Sequence, residues 1–175
     1  MQVVPPFYDH PAYIDAYAKL AGPILEEMKP ERVLISFHGL PERQVTKGDA
    51  SGTHCLKRTD CCERIGKVNA NCYRAHSLAT ARLLGDKLGL AEERRIVCFQ
   101  SRLGREPWLR PFTAEVVIEL ARAGVRRVAV LSPAFVADCL ETIEEIGIRA
   151  AASFRENGGE ILRLIPAVNA TPAWA

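Results

Sequence analysis

A histidine and a group of carboxylates are the residues of this sequence whose types and spacing could do acid–base or metal chemistry. His38 ends a run of apolar, β-prone residues in the segment VLISFHGLP. Glu141, Glu144 and Glu145 follow one another in FVADCLETIEEI, so in a helix their carboxylates occupy neighbouring faces of the first turns. Such carboxylates suit proton abstraction or capture of a divalent cation, with His38 as a second base or ligand. The alternative is a solvated helix face, because acids are favoured near a helix N-terminus in any case.

Most of the cysteines crowd one loop, residues 50–72, that has no hydrophobic periodicity of its own. A loop of this length needs something to hold it, and disulfides are rare in a cytoplasmic protein. The C-x5-C-C-x9-C spacing lacks the C-x2-C pairs of zinc ribbons, so it favours an iron–sulfur cluster over Zn²⁺, with free thiols as a further alternative. His54 and His76 are substitute ligands. The four thiols belong to Cys55, Cys61, Cys62 and Cys72.

The elements that must position these residues alternate between helix and strand. Parallel neighbours in a sheet need crossover connections, so this order predicts an α/β fold, a doubly wound four-stranded parallel sheet with helices on both faces. The loops after the strands then share one rim, where we expect His38, Arg102, Trp108, Phe135 and Glu141 to converge. The patterns predict strands over residues 33–37, 96–101, 125–133 and 160–168, and helices over residues 11–30, 73–88, 112–123 and 138–157, the last capped by Asp138.

Composition excludes several classes of function. With 175 residues, 48% of them hydrophobic and 25% charged, the chain has the composition of one globular domain. The net charge of +2 comes from interleaved Arg and Glu, so nucleic acid is not an expected partner. We expect no transmembrane segment, because no apolar run approaches the roughly 20 residues that a spanning helix needs. The N-terminus lacks the pattern of a signal peptide, which predicts a cytoplasmic location.

Four motifs in order give the chain a family resemblance. SFHGLPERQVTKGD, CYRAHSLATARLLGDKLGL, FQSRLGREPWLRP and SPAFVADCLETIEEI together resemble the C-terminal half of ferrochelatase, the enzyme that inserts ferrous iron into a porphyrin to make haem. The resemblance covers essentially the whole chain. It implies that residues 1–175 are a single α/β ferrochelatase C-terminal domain with a metal-binding loop at 50–72, and that the N-terminal domain is absent from this chain.

The resemblance also implies roles for individual residues. His38 and Glu141 match catalytic residues that face each other across the porphyrin cleft, Glu145 continues a line of carboxylates along the path of protons or metal, and Trp108 helps to line the cleft. Phe135 is expected to pack near the porphyrin. Many relatives have a histidine where this chain has Cys139.

Porphyrin, Fe²⁺ as substrate and the missing N-terminal domain are the partners that the resemblance implies. Some ferrochelatases carry a [2Fe-2S] cluster on cysteines inserted in this half of the chain, which supports a cluster here. The expected function is insertion of Fe²⁺ into protoporphyrin IX, with the isolated half inactive alone. The alternatives are a non-catalytic iron–sulfur or metal-binding module on a chelatase-like fold, and a cobalt or coproporphyrin chelatase.

Overall fold

A parallel sheet forms the centre of the computed structural model, which describes residues 4–174. Within that range its strands are β1 (Arg32–His38), β2 (Arg95–Gln100), β3 (Arg127–Leu131) and β4 (Ile161–Leu164). They pair in the order β2-β1-β3-β4, and each pairing is parallel. The predicted four-stranded parallel sheet is therefore confirmed.

Helices connect the strands. The helices are α1 (Pro11–Met28), α2 (Glu42–Thr46), α3 (Tyr73–Lys87), α4 (Thr113–Arg122), α5 (Leu140–Thr142) and α6 (Ala151–Glu156). A π-helical segment, Ile143–Ala150, joins α5 to α6 without a break, and a 3₁₀ turn, Glu92–Arg94, precedes β2. Neither α2 nor the π-helical segment was expected from the sequence pattern, which predicted one regular helix over residues 138–157.

Both faces of the sheet are covered, because successive strand residues point to opposite sides. Val33 packs in the cluster that contains Leu84 of α3, and its neighbour Leu34 packs in the cluster that contains Phe154 of α6. These four side chains are fully buried, at 0% exposure. Burial of each such side chain contributes about 1.5–3 kcal/mol relative to an exposed one. The doubly wound arrangement predicted from the sequence is present.

The cysteine-rich segment between α2 and α3 consists of turns and bends. Its first half is organised by Asp49, which is 8% exposed. The Asp49 carboxylate accepts hydrogen bonds from the hydroxyl of Ser51 at 2.6 Å and from the backbone N–H groups of His54 at 2.8 Å and Cys55 at 2.9 Å. Hydrogen bonds to a buried carboxylate therefore hold this loop, which has no regular secondary structure.

The last helix begins one residue later than predicted. Cys139, not Asp138, is its N-cap, so the predicted capping role of Asp138 is wrong. The Asp138 carboxylate instead accepts from the backbone N–H of Ala167 at 3.1 Å, the side-chain amide of Asn169 at 2.9 Å and the hydroxyl of Thr142 at 3.1 Å. It therefore ties the loop before α5 to the segment that follows β4.

Among residues 4–174, no helix combines the length and the apolar character that crossing a membrane demands.

Candidate functional site

His38 is the last residue of β1 and lies half-buried at the carboxyl edge of the sheet. Its Nδ1 atom is 2.6 Å from the carbonyl oxygen of Gly39. Because a carbonyl oxygen can only accept, Nδ1 carries the hydrogen, and Nε2 of the neutral ring is left free to take a proton. The hydroxyl of Tyr73 donates to the carbonyl of His38 at 2.8 Å, which fixes the backbone at the end of the strand.

An acidic cavity of about 380 Å³ has His38 in its lining. Three carboxylates are expected there. Glu141 lies in α5, and Glu145 lies in the π-helical segment that follows it. Glu144 is paired with Arg149 at 2.8 Å. That pair is largely exposed to solvent and contributes little to stability. The cavity is lined by His38, Ser101, Arg102, Leu103, Leu140, Glu141, Glu144, Glu145 and Arg149.

Glu141 stays ionised at neutral pH. The nearby thiol of Cys139, acting as a hydrogen-bond donor, and then the backbone N–H of Glu141 itself lower the pKa of the Glu141 carboxyl below its ordinary value, and a positive charge on His38 would lower it further. Burial, and after it the same carboxylate, raises the pKa of the Cys139 thiol. The acidic cavity therefore presents a carboxylate close to an imidazole that can be protonated.

Glu145 is fixed by Ser101, the residue that follows β2. Its carboxylate accepts from the backbone N–H of Ser101 at 2.8 Å and from the hydroxyl of Ser101 at 2.7 Å. Ser101 has a φ of 66°, the left-handed conformation that L-residues rarely adopt. Two charge-assisted hydrogen bonds thus support an unfavourable backbone conformation at the end of β2.

Gln100 links three strand ends to the helix that carries the carboxylates. This side chain, 3% exposed, donates from Nε2 to the carbonyl of Glu141 at 2.6 Å. Its Oε1 accepts from the hydroxyls of Ser36 at 2.7 Å and Ser132 at 3.5 Å. Sequence reasoning did not select Gln100 or Ser101, although the signal was available, because both stand at the carboxyl end of a strand as His38 does.

An apolar cavity of about 470 Å³ also has His38 in its lining. Burial raises the pKa of the Tyr73 hydroxyl in its wall to about 12, so that group remains neutral. The aromatic part of the lining comes from Phe7, Tyr8, Tyr13, Phe37 and Tyr73. A cavity of this size and character suits a flat apolar ligand with few polar groups.

The other residues expected at the rim lie at different distances from His38. The ring centroid of Phe135 is 6.1 Å from that of His38, and Arg102 lines the acidic cavity. Trp108 is in the lining of neither cavity. It lies behind the turn after His38, where it forms a bridge with Pro41. A Cβ at Gly39 would clash with the carbonyl oxygen of Gln100 at 2.8 Å and would crowd the Trp108 ring at 3.2 Å. Among the described residues, its indole N–H is buried without an acceptor.

The thiols of the cysteine loop form a second cluster, buried at exposures between 2% and 8%. The sulfur atoms of Cys61 and Cys62 are 3.6 Å apart, and Cys72, at the N-terminus of α3, lies close enough to Cys55 and Cys62 to affect their pKa values. Hydrogen bonding from Cys62, with help from the amides at the start of α3, lowers the pKa of the Cys72 thiol. As the side chains stand in residues 4–174, no set of three or more His, Cys, Asp or Glu is arranged to hold a metal ion.

The fold and the site together define a class. This is an α/β protein with a parallel sheet. At the carboxyl edge of the sheet, an imidazole at a strand end lines both an apolar and an acidic cavity, and carboxylates from the neighbouring helix line the acidic one. Open sheets of this class bind their ligands at that edge. The family model described as Ferrochelatase matches residues 1–175, and the chain belongs to the ferrochelatase family.

Curated relatives agree with the family model. The chain is 49% identical to a ferrochelatase of Pseudomonas fluorescens over 176 residues, which cover 100% of the chain and 51% of the relative. It is 51% identical to that of Ectopseudomonas mendocina over 173 residues, covering 98% of the chain and 50% of the relative. The corresponding values for Azotobacter vinelandii are 49%, 100% and 52%. The chain thus spans about half the length of the curated relatives it matches.

Proposed function

We propose that this chain is the C-terminal half of a ferrochelatase that inserts Fe²⁺ into protoporphyrin IX to form haem. The observation that carries the proposal is the position of His38, which lines both the apolar and the acidic cavity. Metal insertion needs these two environments to meet. An apolar wall can hold the flat macrocycle, and carboxylates can attract the cation and accept or pass on protons.

The reaction removes two N–H protons from the porphyrin as one Fe²⁺ enters, so a base must stand beside the ring. The free Nε2 of His38 is suited to accept a proton, since its Nδ1 is committed to Gly39. The ionised carboxylate of Glu141 would stabilise the imidazolium that results and take part in the passage of protons. His38 and Glu141 are therefore the proposed catalytic residues.

Glu145 has a different proposed role, on the path by which protons or metal reach the ring. Its carboxylate is already bound by two donors of Ser101 and is less free to act as a base. Phe135 lies beside the imidazole and would pack near the macrocycle. Trp108 would contribute to the cleft through the turn that it supports at Gly39.

The test measures iron insertion under anaerobic conditions, with residues 1–175 joined to the first half of the Pseudomonas fluorescens relative. His38→Ala and Glu141→Gln should each lower the rate at least roughly 100-fold, the effect of losing a positioned acid or base. Glu145→Gln should lower it less. Glu119, on the outer side of α4, offers Glu119→Gln as the matched control. Normal turnover by a folded Glu141→Gln protein would contradict the proposed catalytic role.

We also propose that Cys55, Cys61, Cys62 and Cys72 ligate a [2Fe-2S] cluster, with Zn²⁺ as the alternative, in a cytoplasmic protein. Four buried thiols on one loop are a donor set that suits either group. The 3.6 Å between the sulfurs of Cys61 and Cys62 is close to the roughly 3.8 Å between ligands of a tetrahedral metal with bonds of about 2.3 Å. A cluster supplies electron transfer and a cross-link, and iron insertion involves no net electron transfer, so its proposed role is to hold the loop.

Colour and metal content test the cluster proposal. After anaerobic reconstitution with iron and sulfide the protein should be brown, and Cys61→Ser or Cys72→Ser should remove the visible absorption. Cys98→Ser is the control, because Cys98 lies in β2 and donates nothing to the loop. A colourless protein with one bound zinc would replace the cluster by Zn²⁺, and a protein that binds neither metal would return the four cysteines to unlinked thiols.

A further inference from the structure

Arg74, the second residue of α3, directs its guanidinium at the cysteine loop. Its Nη1 atom is 3.1 Å from the sulfur of Cys62 and 3.8 Å from the sulfur of Cys61. Arg74 is half-buried, and among the described residues no carboxylate forms an ion pair with it. A partly desolvated cation is costly unless it is paired, so negative charge on the two sulfur atoms that it faces would stabilise it.

The backbone of the Cys61–Cys62 pair is held independently of Arg74. The carbonyl of Cys61 accepts from the side-chain amide of Asn69 at 2.9 Å and lies 2.9 Å from Nε2 of His54. These contacts fix the main chain but leave the side-chain torsions free. Besides their contact with each other and that of Cys62 with Cys72, the guanidinium is a charged group that reaches both adjacent thiols.

We propose that Arg74 is a positioning residue for the cysteine cluster. Its guanidinium holds the Cys61 and Cys62 sulfurs together and favours the reduced, more negatively charged state of the group that these sulfurs bind. This inference rests on the proposed [2Fe-2S] cofactor. The α3 N-terminus at Cys72 adds partial positive charge to the same side of the loop. Arg74 and the helix end thus form one electropositive wall.

The physical basis is that reduction adds one electron, and so one negative charge, to the cluster and its thiolates. Hydrogen bonds to the ligand sulfurs and nearby charge set the reduction potential of such clusters. Arginine is always protonated and hydrogen-bonds through a planar fork, whereas lysine keeps the charge with a different geometry. Removal of the charge at residue 74 should therefore lower the reduction potential, and its retention as lysine should preserve most of it.

The test is a redox titration of the reconstituted protein, followed by visible absorption and by the electron paramagnetic resonance of the reduced cluster. At a fixed potential, Arg74→Gln should lower the ratio of reduced to oxidised cluster about tenfold, which corresponds to about 59 mV for a one-electron couple. Arg74→Lys should shift it much less. Arg82→Gln is the matched control, because Arg82 is exposed on the same helix about 12 Å further along its axis.

The outcomes separate this inference from the cofactor proposal. A wild-type protein that takes up no iron and sulfide overturns the cofactor and the role of Arg74 together. A wild-type protein with a full cluster whose potential is the same in Arg74→Gln overturns the role of Arg74 alone. Loss of the cluster in Arg74→Gln, with retention in Arg74→Lys, supports the holding role through charge, and thermal unfolding of each variant shows whether the domain remains folded.

Discussion

Cys139 connects the helix that carries the carboxylates to the chemistry of one of them. Its backbone N–H donates to the hydroxyl of Thr142 at 3.0 Å, and its side chain faces the first free amides of α5. The same thiol is the main cause of the lowered pKa of Glu141. One small side chain therefore both caps the start of the helix and lowers the pKa of the carboxyl two residues further on.

Replacement of Cys139 should change the pH dependence of the proposed activity. Cys139→Ala removes the donor that lowers the pKa of Glu141, so the Glu141 carboxyl should be protonated at a higher pH. The acid limb of the pH–rate profile for iron insertion should move to higher pH. Cys139→Ser keeps a donor and an N-cap oxygen, and its profile and melting temperature should match those of the wild type. Identical acid limbs in the alanine variant and the wild type would refute this role.

At this scale the sequence predicts positions better than contacts. His38 was selected because it ends a strand, and the structure brings it next to Phe135 and Glu141 at one rim. The sequence could not predict that Glu145 binds Ser101 or that Trp108 lies behind the turn, because these contacts join segments far apart in the chain. The catalytic roles of His38 and Glu141 stay predictions.

Asp138 shows how an element is positioned by a contact outside itself. The loop before α5 is joined to the segment after β4 by this carboxylate, which binds Ala167 and Asn169. The site helix is therefore placed by a tie across the sheet edge and not by its own propensity. The sequence pattern placed the start of the helix one residue too early and assigned Asp138 a local cap, because Ala167 and Asn169 are about 30 residues away, too far for a local pattern to reveal.

Loss of the Asp138 carboxylate should destabilise the domain. Asp138→Ala removes acceptors for Ala167, Asn169 and Thr142, which should lower the free energy of unfolding by about 2 kcal/mol. Asn169→Ala removes one of these bonds together with the Oδ1 that accepts from the backbone N–H of Asp138 at 2.9 Å, so its cost should be similar. Chemical denaturation followed by circular dichroism measures both effects. An Asp138→Ala protein as stable as the wild type would show that the tie is not needed.

The cysteine loop should lose order when Asp49 is protonated or replaced. Hydrogen bonds from Ser51 and from the amides of Cys55 and His54 hold the pKa of the Asp49 carboxyl well below its usual value. For a lowered pKa, the stabilisation is complete above the unfolded value of 3.8 and is lost as the pH falls through the folded one. The wild-type loop should therefore remain ordered at pH 3.8.

An acid titration of the His54 and Cys55 amide resonances measures this directly. Asp49→Asn should lack the acid transition and should be cut faster by protease within residues 47–72 at neutral pH. Asp60→Asn is the control, because the Asp60 carboxylate is exposed and pairs with Arg58 at 2.8 Å. Amides that titrate at or above pH 3.8 in the wild type would contradict the proposed function of Asp49 as the loop's anchor.

On the scale of the whole molecule, the described residues enclose the site on one side and leave its other side open to solvent. Both cavities are open, and exposed apolar side chains, Leu103 at 78% and Leu140 at 77%, stand at the mouth of the acidic one. Relatives are about twice as long as this chain. A macrocycle held from one side is neither oriented nor shielded from water, and positioning is a large part of catalysis.

Residues 1–175 alone should therefore insert iron much more slowly than the same residues joined to the first half of a relative. Positioned binding contributes several powers of ten in rate, so we expect a difference of at least about 100-fold. Anaerobic assays with protoporphyrin at equal protein concentration test this. The joined protein with His38→Ala controls for insertion by iron in free solution. Equal rates with and without the first half would mean that one half is sufficient.

The π-helical segment Ile143–Ala150 changes the direction in which residues point about the axis of one continuous helix. A π turn closes one residue later than an α turn, so it takes up one extra residue. In a regular α-helix that residue would turn everything beyond it by about 100°. Phe154 at one end is sealed in the core at 0% exposure, and the carboxylates at the other end face the cavity. Deletion of a single residue such as Gly147 would leave a helix. However, either Phe154 would rotate out of the core or the carboxylates would no longer face the cavity.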